Sequence, residues 1–336
     1  MSLLPQVNEC GYDSIVLSDH APISLTLHIP RLARCPPRWR FQTKWLFYES
    51  LYQSEYPENT QSQIEFLDQL DIPTITDQDK TELDKLFTVK EMLEAVQNMR
   101  SGKTPGPDGI PIEIYKLFPE KLLPPLLEMF EEAYESGILP PSLRSALITL
   151  VPKTGKSPTE RGSYRPLSLM CCDTKILCKA LARRLEICVP SLISNDQNGF
   201  VLGRQAFHNI RRVLNILHER RDAKDNAILS LDAEKAFDRI EWKYLMEVLA
   251  RFGMGEKYLK WVKLLYTEPT ADIITNNLIS QTFSLHRGMR QGCPLSPLLF
   301  LFAIEPLAFA IRHNPKISGI KIGELEHIIS LLAVIA

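Results

Sequence analysis

The sequence contains neither the cysteine pairs of a zinc site nor an apolar run long enough for a membrane span. Its seven cysteines include no CxxC pair, and no histidine stands at zinc-ligand spacing from one of them, so a zinc site is not expected. Scattered cysteines in odd number favour a reducing compartment. The longest apolar stretch, 298–311, is interrupted by Glu305 and Pro306 and is shorter than the roughly 20 residues of a membrane span. We therefore predict no contact with a membrane.

Targeting signals are also missing. The first ten residues, MSLLPQVNEC, have no basic start followed by an apolar core, so a secretory signal peptide is not predicted. No clear nuclear signal is present, which leaves the nucleus and the cytoplasm both open as the compartment.

Net charge is nearly zero, at −1, but the charges are unevenly distributed along the chain. Residues 144–184 hold nine Lys or Arg against two acidic residues, whereas residues 49–94 hold twelve acidic residues against three lysines. A basic middle behind an acidic N-terminal third predicts one face that meets a polyanion. Ordinary variation of the surface charge is the alternative.

Secondary structure can be predicted from apolar spacing and from helix and turn signals. Alternating apolar and polar residues predict strands in residues 1–30, around a turn at Ser18, Asp19 and His20. A mixed aromatic and basic connector follows at 31–56. Residues 60–100 are predicted to be helical in pieces, and the clearest piece begins at Thr88, whose capping partner Glu91 stands three residues later.

The rest of the chain has the pattern of an α/β protein. The predicted elements are an irregular loop at 102–111, helices at 112–118 and 124–136, a strand at 145–152, a basic loop at 153–161, a basic amphipathic helix at 175–189, a buried central strand at 227–232, a helix at 242–252, a hairpin of 271–275 with 281–284, a helix at 296–313 broken or kinked at Pro306, and two strands at 317–323 and 327–336.

Asp232 is the first candidate for chemistry because it ends the predicted buried strand. Burial of an unpaired carboxylate is expensive, and a bound divalent metal would compensate for it. A helix N-cap or a structural ion pair explains the residue equally well. Asp238, six residues later, is expected to have an ordinary role near the start of the next helix.

Two motifs, LSLDAEKAFDRI (229–240) and RQGCPLSP (290–297), resemble consecutive palm motifs of LINE-type (non-LTR retrotransposon) reverse transcriptases. The resemblance implies that Asp232 binds catalytic Mg²⁺ with help from the carbonyl of Ala233. It implies that Phe237 excludes the 2′-hydroxyl of the incoming nucleotide, although core packing is the alternative for this ring. Gln291 would face the nascent base pair, and Gly292 beside it would shape the backbone at the nucleotide.

Two upstream motifs, VPKTGK (151–156) and SYRPLSL (163–169), resemble the fingers motifs of the same family. The resemblance implies that Lys153 and Arg165 contact the triphosphate, the arginine as a planar fork and the lysine as a point charge. Solvated basic residues are the alternative for each. NDQNGFVLGRQ and GKTPGPDGIP also match family motifs, and the latter would lie against the template. The resemblance covers about residue 86 onward.

The N-terminal segment LSDHAPISLTL (17–27) resembles the last strands of the apurinic-type endonuclease that precedes the polymerase in LINE proteins. Asp19 and His20 match its last catalytic pair. Without the rest of that fold His20 has no metal and no partner network, so we expect the segment to be an inactive remnant.

One part of the sequence departs from the family pattern. The family's second metal-binding turn, Phe/Tyr-Ala-Asp-Asp, should follow the strand that begins near His327, but the chain has Ala333-Val334-Ile335 there. A two-metal reaction needs several carboxylates around its ions. We therefore expect a catalytically defective polymerase.

These patterns together predict three segments: an endonuclease remnant at 1–30, a connector at 31–85, and reverse transcriptase fingers with a partial palm, truncated before the thumb, at 86–336. The implied cofactor is Mg²⁺, with impaired binding, and the implied partners are an RNA template, a DNA primer and dNTPs. A non-catalytic nucleic-acid-binding protein that uses the basic residues of 144–184 and 204–221 is the alternative. The product of a degenerate reading frame that does not fold stably is a third reading. The oligomeric state is open.

Overall fold

The computed structural model describes residues 7–12, 23–27, 37–56, 61–157, 159–205, 207–219, 227–275, 278–322 and 324–331, with side chains from Lys44 onward. The chain divides into two compact units, Met1–Thr43 and Lys44–Ala336. The three predicted segments, with boundaries at residues 30 and 85, differ from this division. No helix in the described ranges is long and apolar enough to cross a membrane.

The first unit contains a two-stranded antiparallel sheet. Strand β1 (Val7–Tyr12) pairs with β2 (Ile23–Leu27), and the register shifts between Val7 and Glu9. Both strands lie within the region predicted to form strands, whereas the predicted turn at Ser18, Asp19 and His20 lies outside the described residues.

Helix α1 (Pro37–Leu51) occupies much of the predicted connector and extends into the second unit. Its first residue is a proline, whose missing N–H and fixed φ suit the start of a helix. Apolar and basic residues are mixed around this helix, so the sequence offered no apolar stripe from which to predict it. In the second unit its residues Tyr48 and Leu51, and Tyr52 just after it, are buried.

The acidic region folds as the predicted short helices, α2 (Gln61–Asp68), α3 (Asp77–Leu83) and α4 (Val89–Asn98). The capping box at the start of α4 is confirmed. The Thr88 hydroxyl accepts a hydrogen bond from the Glu91 amide at 3.2 Å, and the Glu91 carboxylate accepts one from the Thr88 amide at 3.1 Å.

The loop at 102–111 is irregular, as its glycines and prolines predicted. Gly106 is required there by space, because a Cβ at this position would lie 2.4 Å from the backbone nitrogen of Cys171. Three helices follow, α5 (Ile112–Leu117), α6 (Pro119–Ser136) and α7 (Pro141–Arg144). Helix α6 starts five residues before its predicted start at Pro124, again with a proline in its first turn.

The remaining elements are β3 (Ser145–Pro152), β4 (Tyr164–Leu169), α8 (Cys172–Leu192), α9 (Phe207–Glu219), α10 (Trp242–Arg251), α11 (Glu256–Leu265), β5 (Thr270–Thr275), β6 (Leu278–Ile279), β7 (Phe283–Ser284), α12 (Ser296–Arg312), β8 (Ile320–Ile322) and β9 (Leu325–His327). The predicted strand at 145–152 is confirmed, and so is the helix at 242–252 to within one residue. Helix α12 runs without interruption through Pro306.

Strand β3 lies inside the main sheet, which has the order β4-β3-β5-β6. It pairs antiparallel with β4 and parallel with β5, so that Ser145 lies opposite Thr270. Strand β7 also pairs with β5, which confirms the predicted hairpin, although its turn residues Asn276 and Asn277 lie outside the described residues. The chain is therefore a mixed α/β protein, as predicted.

Helix α8 is at the centre of the larger hydrophobic core rather than at its edge. Most of its side chains are buried, and the cluster around it draws on α4, α6, α10, α11 and α12. Arg184, which the sequence assigned to a basic amphipathic face, is only 8% exposed. It donates to both carboxylate oxygens of Glu91 and to the carbonyls of Leu83, Lys85 and Leu86.

The predicted buried strand at 227–232 is wrong. These residues form no strand, and Leu229 and Leu231 are 80% and 83% exposed. An apolar run becomes a strand only where neighbouring strands accept its backbone hydrogen bonds and cover its side chains. Among the described residues no strand pairs with this segment. The predicted final strands are also shorter, since β8 and β9 form a small hairpin and residues 328–330 are not in a strand.

We predict that Arg184→Ala lowers the free energy of unfolding by about 3 kcal/mol, because Glu91 and the buried and partly buried carbonyls then lose their donor. Arg183→Ala is the matched control, since Arg183 is 35% exposed and makes one ion pair, with Glu94 at 2.8 Å; its loss costs below about 1 kcal/mol. Chemical denaturation of both variants measures the difference. Equal losses would contradict the structural role of Arg184.

Candidate functional site

A cavity of about 850 Å³ opens between the β3–β4 hairpin, the segment 231–238 and the start of α12. Most of the sequence-predicted site residues line it, although they come from distant parts of the chain; these are Lys153, Arg165, Asp232, Ala233, Phe237 and Gln291. Gly292 is not among the lining residues.

The β3–β4 hairpin supplies the cationic wall of the cavity. Its ladder pairs Val151 with Arg165 and Pro152 with Tyr164, and the Lys153 amide closes the hairpin by donating to the Ser163 carbonyl at 2.8 Å. The register therefore brings Lys153 and Arg165, twelve residues apart in sequence, to the same cavity. Two cations on one wall attract a polyanionic group such as a phosphate chain.

Phe237 forms an aromatic wall. It lies in a 3-10 turn, Ala236–Arg239, that follows Lys235 in a left-handed conformation at φ 51°. The ring stacks on Phe300 with centroids 4.2 Å apart and meets Phe200 edge-on at 6.0 Å. Phe237 is thus part of the core and also lines the cavity, and these contacts hold the ring in place.

Asp238, beside it, is almost fully buried, at 1% exposed. Its carboxylate accepts hydrogen bonds from the Tyr52 hydroxyl at 3.0 Å and from the Gln291 amide nitrogen at 3.2 Å. Burial raises the pKa of Asp238 to about 6, against the opposing effects of Lys235 and of these two hydrogen bonds. From its sequence position this residue was expected to have an ordinary role, and no local signal points to Tyr52, which is 186 positions away.

The loop before α12 is fixed from two sides. The amides of Gly288 and Met289 donate to the carbonyls of Ile240 and Phe237, at 2.8 and 2.7 Å, and the Gln291 carbonyl accepts from the Ser168 amide at 2.7 Å. Gln291 therefore lies where β4 and the 3-10 turn meet. Gly292 has φ 110° and a Cβ there would lie 2.9 Å from the Ser168 carbonyl oxygen, so its place in the site is set by close backbone packing.

Residues of the predicted connector support the site from behind. The Tyr48 hydroxyl donates to the Tyr164 carbonyl at 3.2 Å, and the Lys235 ammonium lies 4.9 Å from the centre of the Tyr48 ring. Arg287 is 4% exposed and forms ion pairs with Glu55 at 2.8 Å and Glu241 at 3.5 Å. Sequence reasoning missed this support, because nothing in an aromatic and basic segment indicates which distant residues it will cover.

The part of the chain that carries most of the cavity residues matches a known protein family. The family model described as reverse transcriptase (RNA-dependent DNA polymerase) matches residues 151–327, just over half of the chain. The chain belongs to the reverse transcriptase family. The matched region holds every predicted polymerase residue, from Lys153 to Gly292.

The curated relatives of this reverse transcriptase domain are proteins of mobile elements. The chain is 34% identical over 279 residues to a Xenopus laevis protein named transposon TX1 uncharacterized 149 kDa protein, covering 83% of this chain and 21% of the relative. It is 31% identical to the RNA-directed DNA polymerase from mobile element jockey of Drosophila melanogaster, covering 63% and 24%. It is 29% identical to the Drosophila melanogaster Pol polyprotein from type-2 retrotransposable element R2DM, covering 66% and 20%.

The domain is thus of the non-LTR retrotransposon type, as the motifs predicted, and the chain spans about a fifth to a quarter of the length of these relatives. The finer assignments, to fingers and palm and to an endonuclease remnant, stay predictions.

The family normally uses divalent metal ions, but the possible metal ligands that line the cavity do not fit a two-ion site. Asp232 is exposed at the cavity, and the described part of the chain contains no group of three or more Asp, Glu, His or Cys that could hold a metal. The Asp238 carboxylate already accepts hydrogen bonds from Tyr52 and Gln291. Ser330 and Leu331 line the cavity, while Ala333, Val334 and Ile335 lie outside the described residues and bring no carboxylate.

The basic residues of the domain are largely engaged in internal contacts. Arg144 pairs with Glu268, Arg184 with Glu91 and Arg212 with Asp196, and Arg204 donates to the carbonyls of Ile193, Ser194 and Gln197. Fewer basic residues are therefore available at the surface than the sequence of 144–184 and 204–221 suggested. Its exposed or half-exposed cations on the β3–β4 hairpin are Lys153, Lys156, Arg161 and Arg165.

We predict that Gly288→Ala destabilises the domain by about 3 kcal/mol. Gly288 has φ 90°, and a Cβ there would lie 2.9 Å from the Asp238 carbonyl oxygen and 3.1 Å from the Tyr52 ring. Gly109→Ala is the matched control, since Gly109 has φ 72° with nothing within 4 Å, and only the backbone strain of about 1 kcal/mol applies. Thermal and urea unfolding compare the two. A loss at Gly288 no larger than that at Gly109 would show that the loop does not depend on this close approach.

Proposed function

We propose that this chain is the nucleotide-binding core of a non-LTR retrotransposon RNA-directed DNA polymerase. A dNTP occupies the cavity, with an RNA template and a DNA primer at its rim. The observation that carries the proposal is the convergence of Lys153, Arg165, Phe237 and Gln291, from separate motifs, on one cavity.

The proposed binding mode follows from the chemistry of each wall. Lys153 and Arg165 hold the triphosphate, one as a point charge and one as a fork of donors. The Phe237 ring, held between Phe300 and Phe200, lies under the sugar and leaves no space for a 2′-hydroxyl. Gln291 contacts the nascent base pair.

In this proposal the β3–β4 hairpin belongs to the fingers, and the segments 229–240 and 287–312 belong to the palm. Asp19 and His20 correspond to an endonuclease catalytic pair. These assignments rest on motif resemblance.

Polymerisation itself is proposed to be defective. Two-metal phosphoryl transfer needs several carboxylates around the ions. Asp232 and Glu234 are exposed motif carboxylates that line the cavity, but the described residues contain no group of three or more acidic, His or Cys side chains that could hold a metal. Val334 and Ile335 stand where the family has its two adjacent aspartates. The chain can therefore bind, position and select a nucleotide with its own residues while its hold on the metal is weak.

We predict that Arg165→Ala and Lys153→Ala each weaken dTTP binding about three- to tenfold, because each removes a charge-assisted contact to phosphate. Arg161→Ala is the control, since Arg161 is an exposed cation of the same hairpin that does not line the cavity. Equilibrium dialysis with radiolabelled dTTP measures all four proteins. A uniform loss in all three variants would indicate general charge attraction rather than a nucleotide site.

We also predict that purified protein extends an RNA-templated DNA primer with Mg²⁺ no better than its Asp232→Ala variant. The lost metal contribution, several kcal/mol, corresponds to at least about a thousandfold in rate. The double substitution Val334→Asp and Ile335→Asp should raise extension, and adding Asp232→Ala should abolish the gain. Extension by the unchanged chain that Asp232→Ala removes would falsify the proposed defect while leaving the nucleotide site intact.

A further inference from the structure

The carboxylate of Asp238 is buried at the wall of the cavity and contacts Gln291, which also lines the cavity. Its Oδ1 accepts from the Tyr52 hydroxyl at 3.0 Å and from Gln291 Nε2 at 3.2 Å, and its Oδ2 lies 3.3 Å from the same Nε2. Burial and Asp238 both raise the pKa of Tyr52 well above its ordinary value. Tyr52 is therefore a permanent donor and leaves the carboxylate fixed as the acceptor.

This contact determines which end of the Gln291 amide is presented to the cavity. An ionised carboxylate can only accept hydrogen bonds, so it holds the NH₂ group of the planar amide on its own side. The carbonyl oxygen, on the other branch, is then directed away from Asp238. Within the described ranges no N–H or O–H group donates to this oxygen, and Gln291 lines the cavity. Gln291 thus offers an acceptor to a ligand.

We propose that Asp238 is a positioning residue that fixes the Gln291 amide with its carbonyl oxygen toward the cavity, where it accepts a hydrogen bond from a hydroxyl or N–H group of the bound nucleotide. Tyr52 anchors Asp238 from a segment upstream of the family match, and so makes that segment part of the ligand site. The inference rests on the proposed function only in taking the ligand to be a nucleotide.

The pKa of Asp238 depends on the groups packed around its carboxylate. Lys235 and Lys153 lower its pKa, as do the hydrogen bonds from Tyr52 and Gln291, but burial is the largest effect and raises it to about 6. Tyr48 also interacts with this carboxylate, and Arg287, on the packed loop, is paired with Glu55 and Glu241. Below about pH 6 a protonated Asp238 can donate to the Gln291 carbonyl oxygen, and the amide is then free to turn.

The test compares dTTP binding by the parent and by Asp238→Asn between pH 5 and pH 8, using equilibrium dialysis. An asparagine can keep the two bonds made at Oδ1, but its NH₂ group allows either orientation of the Gln291 amide. We expect Asp238→Asn to bind about fivefold more weakly at pH 7.5, the worth of about one hydrogen bond. The parent should converge on the variant as the pH falls through about 6. Protonation of the triphosphate affects both proteins equally and cancels in their ratio.

A second variant tests the anchor, and a third serves as the control. Tyr52→Phe removes a hydrogen bond that lowers the pKa of Asp238, so the pH midpoint of this ratio should move upward. Asp272→Asn makes the same chemical change at a carboxylate that accepts from the Thr282 hydroxyl at 2.6 Å outside the cavity, and it should bind dTTP as the parent does at every pH. Circular dichroism establishes that each variant is folded.

Each outcome has a distinct meaning. Parallel pH profiles for the parent and Asp238→Asn, with binding still sensitive to Arg165→Ala, overturn the positioning role and leave the nucleotide site standing. Insensitivity to Arg165→Ala as well overturns the proposed function instead. A pH midpoint that moves upward in Tyr52→Phe supports the positioning role, because a purely structural contact would not shift it.

Discussion

The backbone hydrogen bonds between the 3-10 turn Ala236–Arg239 and the loop before α12 are the contacts on which the site depends. Through them the amides of Gly288 and Met289 reach the carbonyls of Ile240 and Phe237. They join two motifs that are about fifty residues apart in the sequence through direct main-chain hydrogen bonds. Phe237 then faces the cavity from one side and Gln291 from the other, and Asp238 is enclosed between them. Because these bonds involve main-chain atoms, they constrain the course of the chain more than the identity of most side chains, apart from Gly288 and Gly292.

Local signals predicted many of the helices, although α9 and α11 were not among the predicted elements. The capping box at Thr88 and the glycine at 137 mark helix ends through interactions within a few residues of each boundary, and such interactions can be read from sequence. The segment 227–232 was wrongly predicted to be a strand, and helix α1 was not predicted, for opposite reasons. The first has a strand composition but no strand beside it, and the second has no apolar stripe yet buries its aromatic residues against distant elements. Both outcomes depend on tertiary neighbours, which single-sequence patterns do not specify.

The candidate site likewise contains some residues that the sequence could predict and others that it could not. Motif resemblance named Lys153, Arg165, Phe237 and Gln291, and the register of β3 with β4 explains why the first two meet. Asp238 and Tyr52 could not be predicted as site residues. A carboxylate is buried only where donors surround it, and here those donors come from distant parts of the chain. Basic composition was misleading for Arg184, whose guanidinium donates to Glu91 and to three carbonyls within residues 83–86 instead of facing solvent. Net positive charge along a segment is therefore a poor guide to the surface available for nucleic acid in this protein.

Helix α1 ends a hundred residues before the region by which the family is recognised, and residues 44–56 nevertheless supply the ring beneath Lys235, the hydroxyl on Asp238 and a carboxylate for Arg287. A fragment cut at the family boundary would leave a buried acid and a buried guanidinium without these partners, in the loop and turn that form the cavity. The physical unit of this reverse transcriptase domain is consequently larger than the region matched by the family model. Substitutions in residues 44–56 are therefore expected to disturb the cavity, as substitutions in the motifs would.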